Sequence, residues 1–552
     1  MSDTPSFATS RGRRLDLLVL AAAAAGCLLP FAAKPLHIDD PLFIWAARRV
    51  HEHPLDPYGY IVNWDHFDQP MWQVTQNPPV AVYYAAAAGL IGWGEVTLHL
   101  AFWLPAVGVL WGTYRLAQQF GAPPLLSALA SLTAPVFFVS ATTVMSDVLM
   151  LCGWLWALVW WDRGLREGRL GPLYGAGVLA LAAVLTKYFA ITLLPLMAVY
   201  ALALAPRGWL RWLPPLAVAA GGVVAYRFGT QALYGQDLLG KAVEFTKGYE
   251  HAVFWSGASW RGTSALTFLG AGAGGLALLL PRPVLRRWLP FVALAALAGA
   301  FAVWDSGVPW WFRAQLLGWA AVGGGLVLIA VGELYRRRDP ESLLLALWIT
   351  GTYAFTAFVN HSVNARSILP AMPALAILVL RLPGRDRGLT GGPAWALIPA
   401  AALALAVGWA DLRTAEADRT AAQWASGFAP PGRTLWFHGH WGWQYYLAQM
   451  GGRAWDETAS RAVPGDVIAI AYNDYALPRP ADDRVRTAAE LDVAPCPWLA
   501  TMSPSVGAGF YSFYWGALPY AFGPVAPERF EIVQVTQPFG RHKHVPVASG
   551  SP

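Results

Sequence analysis

Charge is scarce in this chain. Only 13% of its 552 residues are Asp, Glu, Lys or Arg, roughly half the share of an ordinary soluble domain. Cysteine is nearly absent. Of three, Cys27 and Cys152 lie in apolar runs and Cys496 stands alone in a polar region, which excludes a disulfide-stapled secreted fold. Internal repeats and low-complexity segments are lacking too. What remains is apolar: 56% of the residues are hydrophobic, and stretches such as Leu266 to Leu280 and Ala394 to Ala410 carry no formal charge. Such runs identify a polytopic α-helical membrane protein. The net charge of +6 comes mainly from Arg in short turns between these runs. Orientation explains that pattern better than nucleic-acid binding does, and no nucleic-acid partner is expected. The 29 Trp suit interfacial belts and aromatic-lined cavities.

The arginines order the segments. Arg11, Arg13 and Arg14 precede the apolar run Leu17 to Ala33. This reads as an uncleaved first helix with a cytoplasmic N-terminus; the alternative is a signal peptide, with a lipoprotein-like Ala25-Gly26-Cys27. A first outer loop spans 34–94. It contains an amphipathic helix, Pro41 to His53, whose Arg48 and Arg49 are expected to hold lipid phosphates, and an apolar helix, Val80 to Ile91, too short to span. Spans are then expected at 97–118, 125–140, 147–161, two within 173–205 joined by an outer turn Thr186-Lys187-Tyr188, 218–231, 263–280, 290–304, 311–331, 343–359, 368–380 and 394–409, about thirteen in all with the first. Tyr234 to Gly262 reads as a polar outer loop. After Asp411 the composition changes, and Thr434 to Phe437 and Asp466 to Ile470 read as strands. Two domains are expected: a membrane domain, 1–410, and an extracytoplasmic α/β domain, 411–552. The expected location is the cell inner (cytoplasmic) membrane.

This topology collects polar residues at the outer ends: His37, Asp39, Asp40, Asn77, Asp147, Lys187, Asp305, Arg313, His361, Asn364 and Arg366. Ionisable groups near hydrocarbon mark a site when they meet at one depth. A transporter would need a mid-membrane site reached from both faces, whereas this cluster is one-sided. It suits chemistry between a lipid-borne phosphate and a second substrate. Cations clamp the phosphate, and a carboxylate takes the acceptor's proton. Adjacent carboxylates raise each other's proton affinity or share a divalent cation, with Asp40 and Asp147 as candidate ligands; the cofactor is otherwise unknown. Each site residue also has a structural reading, as a helix cap for Asp39, Asp40 and Asp147 and as an interfacial anchor for Lys187 and Arg366. His438 and His440 have a metal-type spacing that a strand placement also explains.

Several segments, in order, resemble the GT-C glycosyltransferases, and within them glycosyltransferase family 39, which includes protein O-mannosyltransferases and an aminoarabinose transferase. Asp39-Asp40-Pro41-Leu42-Phe43-Ile44-Trp45-Ala46-Ala47-Arg48 resembles that family's Asp-Glu-x-x-Tyr-x-x-x-Ala-Arg signature. Asn77-Pro78-Pro79 is similar to its Lys-Pro-Pro, Met145-Ser146-Asp147 to its Met-x-Asp, and Leu185-Thr186-Lys187 to its Leu-Thr-Lys. Asn364 to Pro373 is similar to its Arg-Tyr-x-Leu-Pro-x-x-Pro. The resemblance covers about residues 15 to 410. It implies the GT-C fold and transfer of a sugar from a polyprenyl-phosphate donor to a lipid, glycan or protein acceptor on the outer face. By resemblance Asp39 and Asp40 are catalytic, and Asn77, Asp147, Lys187 and Arg366 bind substrate. Two departures stand out: Asp40 is one methylene shorter than the family's Glu, and Asn77 replaces its Lys. The rival readings are a transporter or flippase of lipid-linked sugars and a non-catalytic scaffold.

Overall fold

The computed structural model describes residues 10–301, 307–382, 393–429, 431–473, 479–481 and 483–540. Asp305, Arg385 and Arg387 lie outside them. The chain up to Ser426 is almost entirely helical, and the rest is rich in strands. Among the described residues, seven helices are long and apolar enough to cross a membrane, and four further apolar helices have 10–17 residues. Each segment expected to span contains helix.

Local chemistry sets the helix ends. Asp339 caps Pro340–Phe358 by accepting from the Ser342 amide at 2.7 Å, with Pro340 at the first helical position, where its missing N–H costs nothing. Gly168, at φ 65°, closes Ser146–Glu167, because left-handed backbone costs glycine little.

Three expectations change in detail. The run 125–140 is two helices, Pro124–Leu132 and Pro135–Ser140. Pro135 cannot donate to the preceding turn and keeps Ala134 extended. The stretch expected as an outer loop from Tyr234 is instead helical over Leu238–Ala273. Its charged residues were read as loop polarity, yet they sit within one continuous helix. Third, the helix Leu397–Ser426 runs without a break past Asp411.

Beyond that helix, a five-stranded mixed sheet has the order Arg453–Ala454, Leu435–His438, Val467–Ala471, Glu528–Val535, Val485–Val493. The first three are parallel neighbours and the last two are antiparallel. All five residues of Val467–Ala471 are buried, as befits an apolar central strand.

This strand-rich region is tied to the membrane helices by a buried network. Lys34 Nζ donates to Asp411 Oδ2 at 2.5 Å, and both side chains have no exposure. Thr501 and Tyr511 hydroxyls donate to the same carboxylate at 2.8 and 3.0 Å. Tyr446 OH receives the Leu36 amide and donates to Glu95, which also takes Arg419. Arg48 and Arg49, expected on lipid phosphates, have protein partners: Arg48 lies over Trp93 and reaches Tyr445, and Arg49 binds Asp56 and the Gly59 carbonyl.

Candidate functional site

The first outer turn is built to aim Asp39. Ile38 has φ 50°, a conformation that a β-branched side chain adopts only under tertiary constraint, at a cost of about 1–3 kcal/mol. The constraint is visible on both sides. The Leu36 amide is held by Tyr446, and Asp40 Oδ2 accepts the His37 amide at 3.0 Å. Asp39 then turns outward and accepts from Arg366 Nη1 at 2.8 Å.

Its neighbour has a different task. Asp40 is fully buried, and its other oxygen accepts the Val144 amide at 2.9 Å. Val144 belongs to the non-helical stretch between Ser140 and Ser146, and a free amide there would be costly in an apolar surround. Desolvation pushes the Asp40 carboxyl up to about 6, against the pull of Lys34 and two backbone amides. The geometry makes Asp40 a pin between the first loop and the turn leading to Asp147, rather than a group facing a substrate.

Asp147 opens the helix Ser146–Glu167 and is buried. Lys187 Nζ donates to its Oδ1 at 2.5 Å. Lys187 has no acidic neighbour in sequence, but the fold supplies one from 40 positions away. Lys187 follows the end of Leu170–Val184, where a 3-10 turn, Tyr188–Thr192, interrupts two apolar helices. The Asn77-Pro78-Pro79 turn docks on it: the Val80 amide donates to the Leu185 carbonyl at 3.0 Å. The Asn77 side chain itself turns to Thr75 Oγ1 at 2.9 Å.

Arg366 sits in a short helix, Ala365–Ile368, capped by Asn364, which accepts the Ser367 amide at 2.8 Å. Its charge acts on both carboxylates, Asp39 and Asp147, and that of Lys187 does likewise. Thus Asp39, Asp147, Lys187 and Arg366 form one cluster of two carboxylates and two cations. Asn77 approaches it through its turn, and Asp40 supports it from beneath.

Tyr511 also belongs here, although nothing in the sequence marks it. Its ring centroid lies 5.6 Å from the Arg366 guanidinium, and its hydroxyl is fixed by Asp411. The surrounding segment pairs with the Arg366 loop, since Ala365 donates to the Phe510 carbonyl at 2.8 Å and Phe513 to that of Val363 at 2.9 Å. The strand-rich region therefore forms one wall of the cluster.

The proposed metal ligands fit a cation poorly. Both Asp40 oxygens accept backbone amides, Asp147 is paired with Lys187, and no group of three potential ligands that could hold a metal ion occurs among the described residues.

His438 and His440 lie at the end of a buried strand and just beyond it. His440 packs 4.7 Å from His66 and stacks on Trp64, and His438 packs on Trp455. Burial pulls both imidazoles down to about 3, with His66 acting in the same direction. The unfolded chain protonates near ~6.5, so stability is complete above that pH. It is lost as pH falls towards 3, by up to about 1.4 kcal/mol per pH unit for each ring. Between about pH 7 and pH 5, the unfolding midpoint of the detergent-purified protein should fall. It should fall less in His438→Leu, and equal falls in the two proteins would contradict the assignment.

Residues 76–227 match the family model described as dolichyl-phosphate-mannose-protein mannosyltransferase. No curated protein matches the chain. Among solved structures, the Archaeoglobus fulgidus oligosaccharyltransferase is similar at 13% identity over 81% of this chain and 64% of that one, with a TM-score of 0.49; the chain thus spans less than two thirds of that enzyme. ArnT from Cupriavidus metallidurans, bound to undecaprenyl phosphate, is similar at 14% identity over 84% and 94%, with a TM-score of 0.40. Arabinofuranosyltransferase AftD from Mycobacteria is similar at 16% identity over 94% and 40%, also at 0.40. The stretch that matches this family model carries Asn77, Asp147 and Lys187.

Proposed function

We propose that this chain transfers a sugar from a polyprenyl-phosphate-linked donor to an acceptor at the outer face of the membrane. The observation that carries this reading is the convergence of Asp39–Arg366 and Asp147–Lys187 at one end of the helix bundle. The family description over residues 76–227 joins a lipid-phosphate sugar to an acceptor, which supports the same donor class.

The donor phosphate enters between Arg366 and Lys187 and takes hydrogen bonds from both. Arg366 then turns from Asp39 to the phosphate, and the carboxylate becomes free to act as base. Asp39 accepts the proton of an acceptor hydroxyl or amine as that atom bonds to the anomeric carbon. The bond from the anomeric carbon to the phosphate oxygen breaks, and the polyprenyl phosphate leaves with its negative charge neutralised by the two cations. Asp147 keeps Lys187 extended towards the phosphate. Asp40 acts on this chemistry through the turn it braces.

The clamp is testable with undecaprenyl phosphate as the probe. Lys187→Met alone would leave Asp147 buried without a partner, so the informative variant is the double substitution Lys187→Met, Asp147→Asn. It should weaken binding by about 1.5–3 kcal/mol, the range for a hydrogen bond to a charged group. Asn77→Lys should recover part of that loss, because its turn docks on the Lys187 turn. Unchanged affinity in the double variant would make Lys187 an interfacial anchor.

In the same reading, residues 1–410 form the membrane domain of a cytoplasmic-membrane protein and 411–552 an extracytoplasmic domain, with the N-terminus inside. Arginines in the turns opposite the cluster support that orientation. Reporter fusions at Arg337 and Gly432 should report opposite sides of the membrane; the same side for both would refute it.

A further inference from the structure

A cavity of about 290 Å³ opens between the turn Gly274–Leu279 and the helices Arg282–Phe301, Trp310–Arg337 and Leu397–Ser426, towards the end of the bundle that carries the arginine turns. Its walls are apolar and include Leu285, Trp288, Leu289, Val322, Ile329 and Leu403. The helix Leu238–Ala273 carries Arg261, which caps the carbonyls beside His361, and reaches the cavity about 20 Å farther along at 1.5 Å per residue, where Tyr520 donates to the Ala271 carbonyl.

An apolar space of this size, roughly ten water volumes, stays dry unless polar groups hold the water. One side is open to the bilayer, because Leu289 lines the cavity and is also 57% exposed. A hydrocarbon chain is therefore the natural filling.

The charges at its mouth specify more. Leu285, Leu289 and Val292 share a helix face with Arg282, one turn nearer the helix start; Arg286 and Arg287 flank the same turn. All three arginines are exposed. At this end Arg166 pairs with Asp162 and Glu341, Arg336 and Arg337 with Glu333, and Arg381 with Asp339; Arg115, Arg207, Arg211 and Arg338 form no ion pair among the described residues, but they do not stand on a helix that lines the cavity's mouth. Arg282, Arg286 and Arg287 form no ion pair among the described residues. A dry apolar groove ending in cations that lack carboxylate partners is complementary to a molecule with a hydrocarbon chain and an anionic head.

We propose that this groove holds an acyl chain of an anionic glycerophospholipid, with its phosphate on Arg282 and Arg286. The sugar donor is a poor occupant of the whole site. Its phosphate is needed at Lys187 and Arg366, and its chain alone gives the arginines nothing to bind.

The test is native mass spectrometry of the delipidated full chain, offered phosphatidylglycerol and phosphatidylcholine in the same detergent. Two arginines near the headgroup should favour phosphatidylglycerol by roughly thirtyfold. The double variant Arg282→Gln, Arg286→Gln should bring the two lipids to parity. Gly325→Leu should remove both adducts by filling the groove, since even a Cβ there meets the Trp288 ring at 3.3 Å. Ala321→Leu serves the same purpose if Gly325→Leu does not fold. Equal binding of the two lipids by the wild type would overturn the proposal, as would adducts that survive a folded groove-filling variant. Displacement of phosphatidylglycerol by undecaprenyl phosphate would overturn it in favour of the donor's chain.

Discussion

Asp39→Asn should lower the rate of sugar transfer by about 10²–10⁴, the usual cost of losing a general base, with little effect on folding. The amide is nearly the same shape, and its carbonyl can still accept from Arg366, which now makes that bond at 2.8 Å. What it loses is the ability to take a proton. The cation left behind, Arg366, is 17% exposed and so keeps contact with water, and Asp147 remains to balance its charge. The measurement is consumption of a polyprenyl-phosphate-linked sugar by the purified variant, with an unfolding midpoint as control. Near-wild-type turnover would return Asp39 to the role of a helix-end residue paired with an arginine.

The largest expected effect on stability is at Lys34. Lys34→Met should destabilise the protein by about 3–5 kcal/mol, because it leaves the Asp411 carboxylate buried with only two hydroxyl partners. The double variant Lys34→Met, Asp411→Leu should recover much of that loss, since an apolar pair can replace a buried ion pair at little cost. Unfolding midpoints in detergent for the wild type, the single and the double variant give the comparison. A single variant as stable as the wild type would mean that water reaches this pair. The network also carries Tyr511, so transfer should fall in both variants, because the aromatic face beneath Arg366 loses its support.

Asp39, Asp147, Lys187 and Arg366 were legible in the sequence, because each sits in a short motif beside an apolar run. Their pairing was not. Lys187 meets Asp147 across 40 residues and Arg366 meets Asp39 across 327, and no local pattern encodes such contacts. Asp40 shows the limit most clearly. In sequence it is half of an acidic pair, and only the fold shows it accepting an amide 104 residues away. Lys34 reads as the polar end of the first helix, yet it is buried against a helix that begins past residue 390.

The same contrast holds for the elements. The apolar runs around Leu435 and Val467 announced strands, whereas 125–140 reads as one span and its break at Pro135 appears only in the fold. Val485–Val493 has a short apolar–polar alternation, Ala489 to Val493, behind an exposed stretch from Arg486 to Ala488, and it is not among the stretches that read as strands. It is a strand because it pairs along its whole length with Glu528–Val535. Tyr511 is one aromatic among many until the Phe510 to Phe513 segment is seen hydrogen-bonded to the Arg366 loop.

The most direct test is a mass comparison of cell-envelope glycans from cells with the gene, cells without it, and gene-less cells given back either the wild type or Asp39→Asn. The account predicts a sugar-bearing species that disappears with the gene, returns with the wild type, and does not return with a folded, membrane-inserted Asp39→Asn. Identical glycan masses in all four, or full restoration by Asp39→Asn, would contradict it.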